Sequence, residues 1–296
     1  MHRQAHRCMR QVWMMICLSK MDAYTKKVNR AIRLLQSIPQ DGGAIEIAYS
    51  GGKDSDVILE LAKMAGINYR AIYKNTTIDP PKTIHHCKEK GVEVMQPKES
   101  FLQIVARKGI PTRRARFCCS ELKEYKVLDR SIQGIRRSES KARRERYKEP
   151  EICRVYSKGV KAKIYLPILD WTDEDVERFV QERGIQCHPL YYDEQGKFCV
   201  KRRLGCIGCP MQSDRGKAGF KKYPKMLKAL AKAADKYLES HPNSSAKKKF
   251  GNAYNMIFHN IFCETYDEYV TKMSTDLWGG QLDTKEFLGR YFGIEL

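Results

Sequence analysis

No apolar run in this sequence is long enough to cross a bilayer. The run from Val12 to Leu18 falls far short of the roughly 20 residues that a membrane helix needs. It follows a basic start, but no small-residue cleavage site comes after it, so it also makes a poor secretory signal. Residues 1–20 are therefore expected to lie outside the fold, and Met21 opens a helix-like segment, MDAYTKKVNRAIRLLQSI. Acidic residues are scarce too: 35 Asp and Glu stand against 55 Lys and Arg, a formal charge of +20. That imbalance says little about fold and points instead to nucleotides or polyanionic partners. Internal repeats and low-complexity blocks are missing. Without a secretory signal, the eleven cysteines read as reduced thiols used for metal rather than as a disulfide framework, with the cytoplasm as the expected address and no membrane partner.

Two nucleotide signatures are missing as well. The stretch AYSGGKDSDVILEL at 49–62 is no Walker A loop, because no glycine lies four residues before its Gly-Lys pair, and no G-x-G-x-x-G fingerprint is present. What it does have is a strand pattern upstream, AIEIAYS at 44–50, and Val57, Ile58, Leu61 and Met64 at helical spacing downstream, with Gly66 as a stop. The glycines thus fall where a strand becomes a helix. Free N–H groups and the positive end of the helix dipole favour an anion there. Gly51 and Gly52 allow close approach of a phosphate, Ser50 and Ser55 offer hydroxyls, Lys53 offsets developing negative charge, and Asp54 is placed to hold a Mg²⁺ ion.

Further strands are expected near 68–75 and 92–97, alternating with helices over 81–90 and 99–108, a spacing that suits right-handed βαβ units and a parallel sheet. Ligands of such sheets bind beyond the carboxyl ends of the strands. This makes Thr76, Thr77 and Asp79, in NTTID after the second strand, candidates for nucleoside contacts. A strand, a turn and a helix N-capped by Thr172 are expected within KIYLPILDWTDEDVERFVQERG, and helices rich in lysine follow from residue 217. The division expected is a nucleotide-binding domain over 21–215 and a helical, basic region over 216–296. Lys217 to Lys232 and Lys247, Lys248 and Lys249 are the cations expected to meet nucleic acid.

Two constellations remain. Cys118 and Cys119 are adjacent, and Cys206 and Cys209 form CIGC; four thiolates suffice for a zinc site or an iron–sulfur cluster, and neighbouring cysteines suit the larger group. Arg136 and Arg137, which follow Gly134 by two and three residues, with Arg143 or Arg144 beyond, offer forked donors for phosphate oxygens, and Ser138 and Ser140 add hydroxyls. His85, His86 and Cys87 read as ordinary surface and core positions, and Cys187, His188 and Cys199 are not expected to be ligands.

SGGKDS resembles the pyrophosphate-binding loop of the PP-loop ATP pyrophosphatases. From about residue 44 to 212 the chain resembles the phosphoadenosine phosphosulfate (PAPS) reductase family, through RFCCSELK, GIRRSESKAR, LPILDWTDEDV, HPLYYDEQG and LGCIGC in that order. The resemblance implies a Rossmann-like, adenine nucleotide α-hydrolase-like sheet, ATP and Mg²⁺ as ligands, and a [4Fe-4S] cluster on Cys118, Cys119, Cys206 and Cys209, with zinc as the alternative. Two departures matter. No cysteine follows Cys263, so the family's C-terminal nucleophile is missing, and the phosphate loop keeps its ATP-splitting form. Both point toward members that adenylate an acceptor in sulfur transfer, such as the DNA phosphorothioation sulfurtransferase and some tRNA-thiolating enzymes. DNA or tRNA and a sulfur donor such as a cysteine desulfurase are then the implied partners. A sulfonucleotide reductase using an external thiol, and a nucleic-acid-binding regulator without turnover, are the rival readings.

Overall fold

A computed structural model describes residues 22–41, 43–156, 159, 161–273 and 283–296. The expectation for residues 1–20 falls outside them.

The central strand is β1 (Ile45–Tyr49), in which Ile45, Glu46, Ile47 and Tyr49 are all buried. A strand covered on both faces cannot alternate apolar and exposed residues. Its one buried carboxylate, on Glu46, accepts the Leu128 N–H at 2.9 Å. With β2 (Tyr69–Lys74), β3 (Glu93–Met95), β4 (Arg130–Ile132), β5 (Glu151–Val155) and β6 (Lys161–Tyr165) it forms a six-stranded sheet of order β3-β2-β1-β4-β6-β5. β1 runs parallel to β2, with Tyr49 opposite Tyr73, and to β4, with Ile47 opposite Ile132. β4 is parallel to β6, whereas β5 is antiparallel to it. The chain between Val155 and Lys161 is too short for a parallel crossover, which needs about a dozen residues, so the edge pair must be a hairpin. The fold is α/β, Rossmann-like, with a mostly parallel sheet.

In chain order the helices are α1 (Ala23–Gln36), α2 (Lys53–Ala65), α3 (Thr83–Glu89), α4 (Phe101–Lys108), α5 (Phe117–Leu122), α6 (Lys141–Arg146) and α7 (Asp173–Glu182). After them come α8 (Lys217–Lys222), α9 (Pro224–Ser240), α10 (Ser245–Phe250), α11 (Ala253–Phe262), α12 (Tyr266–Met273) and α13 (Thr284–Phe292). α7 starts on a full capping box: Thr172 Oγ1 accepts the Asp175 N–H at 3.3 Å, and Asp175 Oδ2 accepts the Thr172 N–H at 2.7 Å. No helix among the described residues is long and apolar enough to cross a membrane.

Contacts divide the chain into two compact units, each discontinuous in sequence. One takes in the chain up to Tyr73, His85–Glu93 and Val127–Arg203; the other takes in Lys74–Ile84, Val94–Lys126 and Leu204–Leu296. The first contains the glycine loop. The second is built around a helical core in which Ile104, Val105, Leu227, Ala234, Phe258 and Leu288 are buried, and it contains all four candidate metal-ligating cysteines.

Candidate functional site

In the first unit, the Ser50-Gly51-Gly52 turn joins β1 to α2. Gly51 has φ +77°, and Gly52 caps the helix without a side chain. Of the loop's two serines, Ser55 is buried and Ser50 is exposed. Ser55 Oγ donates to Gly52 O at 2.6 Å and Ser50 Oγ lies 3.3 Å from it. A Cβ on Gly52 would come within 3.2 Å of the Tyr191 hydroxyl.

Asp54 is the centre of charge. Its Oδ2 accepts from Lys53 Nζ at 3.0 Å and its Oδ1 from Arg136 Nε at 2.7 Å. Lys53 is itself buried, with its ammonium 5.5 Å from the Tyr191 ring centroid. Arg136, only 2% exposed, extends its remaining donors to Ser138 Oγ at 3.1 Å and to Asp173 Oδ1, in the first turn of α7, at 2.9 Å. Gly134 owes its place here to crowding: a Cβ on it would stand 3.0 Å from Asp54 O and 3.1 Å from Asp54 C, and backbone does not move aside cheaply. Arg137 turns away from this centre, donating to Asp170 Oδ1 at 2.5 Å, to Tyr147 O at 2.8 Å and to Lys148 O. Arg143 pairs with Glu139, and Ser140 caps α6 by accepting the Arg143 N–H at 3.2 Å. Lys53, Gly134 and Arg136 thus meet at Asp54, and Ser50, Gly51, Gly52 and Ser55 form the turn next to it.

Behind the loop lies a buried polar cluster that the sequence reading passed over. Asp56, next to Ser55 on α2, accepts a hydrogen bond from the Tyr49 hydroxyl, and His86 Nε2 lies 3.1 Å from both of its oxygens. Cys187 also meets Asp56, and burial, then the carboxylate, pushes its thiol well above the ordinary range. Burial and Asp56 raise the Tyr49 hydroxyl strongly in the same way. The His188 ring stands edge-on to His86 at 5.8 Å. Nothing in the local pattern marked the cluster out, since Asp56 shares its side of α2 with Lys53, Glu60 and Lys63. By contrast His85 is exposed, 3.6 Å from Glu89.

In the second unit, Cys118 and Cys119 open α5 and Cys206 and Cys209 occupy the loop that leads toward α8. The Cys118 thiol is raised by Cys119 beside it, by burial and by Cys206 and Cys209 within electrostatic reach. Cys119 is lowered by Cys118 beside it and by Arg116, whose Nη2 lies 3.9 Å from its sulfur. Burial pushes Cys206 up to about 11, and the Lys123 ammonium is raised by the Cys206 sulfur beside it. No group of three or more His, Cys, Asp or Glu side chains among the described residues is arranged to hold a metal ion. The nine described cysteines are all free thiols.

Thr76 and Thr77 also belong to this unit. Thr76 Oγ1 donates to Asp79 Oδ2 at 2.6 Å and lies 3.7 Å from Cys206 Sγ, while Thr77 Oγ1 accepts the Phe101 N–H at 2.8 Å. The Cys206–Cys209 loop is held by glycines that composition alone does not flag. A Cβ on Gly208 (φ +69°) would fall 2.1 Å from Phe220 Cζ, and one on Gly216 would fall 2.4 Å from Gly208 C.

A sequence model of the phosphoadenosine phosphosulfate reductase domain matches residues 44–212. An uncharacterized protein of Escherichia phage 186 is 34% identical over 135 residues, 40% of this chain and 38% of its own length. Another from Methanocaldococcus jannaschii is 31% identical over 181 residues, 56% of this chain and 41% of its own. The chain therefore spans about two fifths of the length of these relatives (38% and 41%). Similar solved structures include phosphoadenylyl-sulfate reductase from Candida auris in a phosphate complex, with a TM-score of 0.42 and 16% identity over 60% of this chain and 87% of that one. Another is the U34-tRNA thiolase of Methanococcus maripaludis with its [4Fe-4S] cluster, with a TM-score of 0.38 and 17% identity over 76% and 82%.

Proposed function

The chain belongs to the phosphoadenosine phosphosulfate reductase domain family, and from that premise we propose that it binds ATP at the glycine loop, releases pyrophosphate and adenylates an acceptor in sulfur transfer. The observation that carries the reading is the Ser50-Gly51-Gly52 turn at the start of α2, with Asp54 fixed between Lys53 and Arg136.

A nucleophilic atom of the acceptor attacks the α-phosphorus. The bond from that phosphorus to the oxygen bridging toward the β-phosphorus breaks, and its electron pair leaves on pyrophosphate. The N–H groups at the start of α2 and the helix dipole face the departing anion, and Lys53 offsets its charge. Gly51 and Gly52 keep the approach clear. Asp54 would hold Mg²⁺, which supplies charge neutralisation on the phosphate oxygens. Arg136 touches Asp54 and acts through it as a positioning residue.

Cys118, Cys119, Cys206 and Cys209 would hold a [4Fe-4S] cluster, which supplies iron able to carry or position sulfur. An all-sulfur donor set with Arg116 and Lys123 beside it suits an anionic cluster; zinc is the alternative that metal analysis separates. A nucleic acid as acceptor and a cysteine desulfurase as sulfur donor complete the reading.

The test is Mg²⁺-dependent release of pyrophosphate from ATP, assayed with and without DNA or tRNA. Asp54→Ala should abolish it and leave the cysteine-bound metal in place. Undiminished release in the variant would remove the loop from the chemistry.

A further inference from the structure

One face of α9 is buried through Leu227, Leu230, Ala231, Ala234 and Leu238, and the opposite face exposes Lys225, Lys228, Lys232 and Lys236. Successive spacings of three, four and four residues keep the four lysines on one side of the helix. At 1.5 Å per residue they form a line about 17 Å long, in steps of roughly 5 to 6 Å.

Other lysines of the same basic region are already engaged. Lys217 lies 4.4 Å from the Phe262 ring centroid and Lys221 4.7 Å from that of Tyr291. Lys247 donates to Gly251 O at 2.7 Å, and Lys249 stands 5.2 Å from the Phe250 ring. On the α9 stripe, Lys228 donates to Glu295 O at 3.0 Å, and among the described residues none of the four forms an ion pair with a carboxylate. Like charges at i,i+4 oppose one another. A face serving solubility alone intersperses both signs, whereas on this one four exposed cations precede the first exposed carboxylate, Glu239, and Asp235 at its edge is half-buried and accepts the Ala253 N–H at 3.3 Å.

We propose that the exposed face of α9 is a track for the phosphodiester backbone of a nucleic acid. Regularly spaced ammonium groups on flexible stems match a chain of repeating single phosphates; planar carboxylates of an acidic protein are better met by the forked donors of arginine. The formal charge of +20 favours the same encounter. The proposal rests on the lysine pattern and is independent of the ATP reading.

The test measures binding of the whole protein to a labelled duplex DNA and to a labelled tRNA by fluorescence anisotropy across a salt series, with polyglutamate as the third probe. Replacing Lys225, Lys232 and Lys236 with Gln should lower the slope of log K against log salt by roughly 2 to 3 on duplex DNA, since each neutralised phosphate contributes about 0.9. Binding at low salt should weaken more than tenfold. A control with the same loss of charge replaces Lys63, Lys141 and Lys163, which already face Glu60, Glu145 and Glu151; its slope should change by less than 1. Both variants should melt like the wild type. Equal slopes for the α9 variant and the wild type, failure of the wild type to bind either nucleic acid at low salt, or tighter binding of polyglutamate would each overturn the proposal. The DNA and tRNA arms show which backbone is preferred.

Discussion

Arg136 Nε donates to Asp54 Oδ1 at 2.7 Å, so a guanidinium carried by the loop after β4 holds a carboxylate in the first turn of α2. The same group reaches Asp173 at the start of α7, and three segments distant in sequence are fixed on one buried cation. Burying that cation is tolerable because its donors are paired. Asp54 is in turn denied free rotation, which is what a metal-holding carboxylate requires if the metal is to sit in one place.

Arg136→Lys tests that arrangement. A single ammonium keeps the charge but cannot donate to Asp54, Ser138 and Asp173 from one plane. Pyrophosphate release should fall by about tenfold or more with the apparent Mg²⁺ requirement raised, while Arg137→Lys, whose partners lie elsewhere, should change neither by more than about twofold. Equal effects of the two substitutions would show that Arg136 serves only packing.

The strand before the glycine loop, the helix after it and the Thr172 cap were legible because each is written in contiguous residues: periodicity, a Gly-Gly turn and a T-x-x-D box. The sheet's mostly parallel character followed from the alternation of such elements. Arg136 was a candidate from its motif, but its partners could not be read there, since they lie 82 and 37 residues away. The cluster of Tyr49, Asp56, His86 and Cys187 escaped for the same reason: no local pattern says that four polar groups from β1, α2, α3 and a loop meet in the interior. The antiparallel edge pair could have been read from the short link between Val155 and Lys161.

The cysteines carry a direct colour test. Protein purified without oxygen should be brown and absorb broadly near ~400 nm, as thiolate-bound iron–sulfur centres do. Cys118→Ser should bleach it. Cys263→Ser should not, because Cys263 is an exposed residue that closes α11 in a left-handed conformation. Colourless protein with one zinc per chain would replace the cluster with a structural metal.

Acid stability offers a test of a single cap. Asp22, the N-cap of α1, is lowered to about 2, first by hydrogen bonds from Thr25 and then by Arg178. A depressed carboxylate stabilises the fold above its unfolded value of about 3.9 and loses that contribution as pH falls through the folded value. The melting temperature of Asp22→Ala should therefore lie below that of the wild type at pH 6, and the gap should close progressively between pH 4 and pH 2. A gap independent of pH would mean that the charge of Asp22 contributes nothing.

The CIGC loop owes its shape to Gly208, and that can be separated into two causes. Its φ of +69° disfavours any side chain, and the Cβ of an alanine would overlap the Phe220 ring, with contacts of 2.1, 2.5 and 2.7 Å. Phe220 is buried in the helical core, so the ring cannot swing aside without opening a cavity. Gly208→Ala should therefore cost several kcal/mol, combining backbone strain of about 1–2 kcal/mol with overpacking of about 1–3 kcal/mol. Metal binding by Cys206 and Cys209 should fail with it. Adding Phe220→Leu removes the ring but leaves the φ, so the double variant should melt above Gly208→Ala alone and still below Phe220→Leu alone, with metal content following the same order. A double variant no more stable than Gly208→Ala would locate the whole cost in the backbone, and a Gly208→Ala protein that retains metal and melts like the wild type would show that the loop is held by its cysteines and not by its glycine.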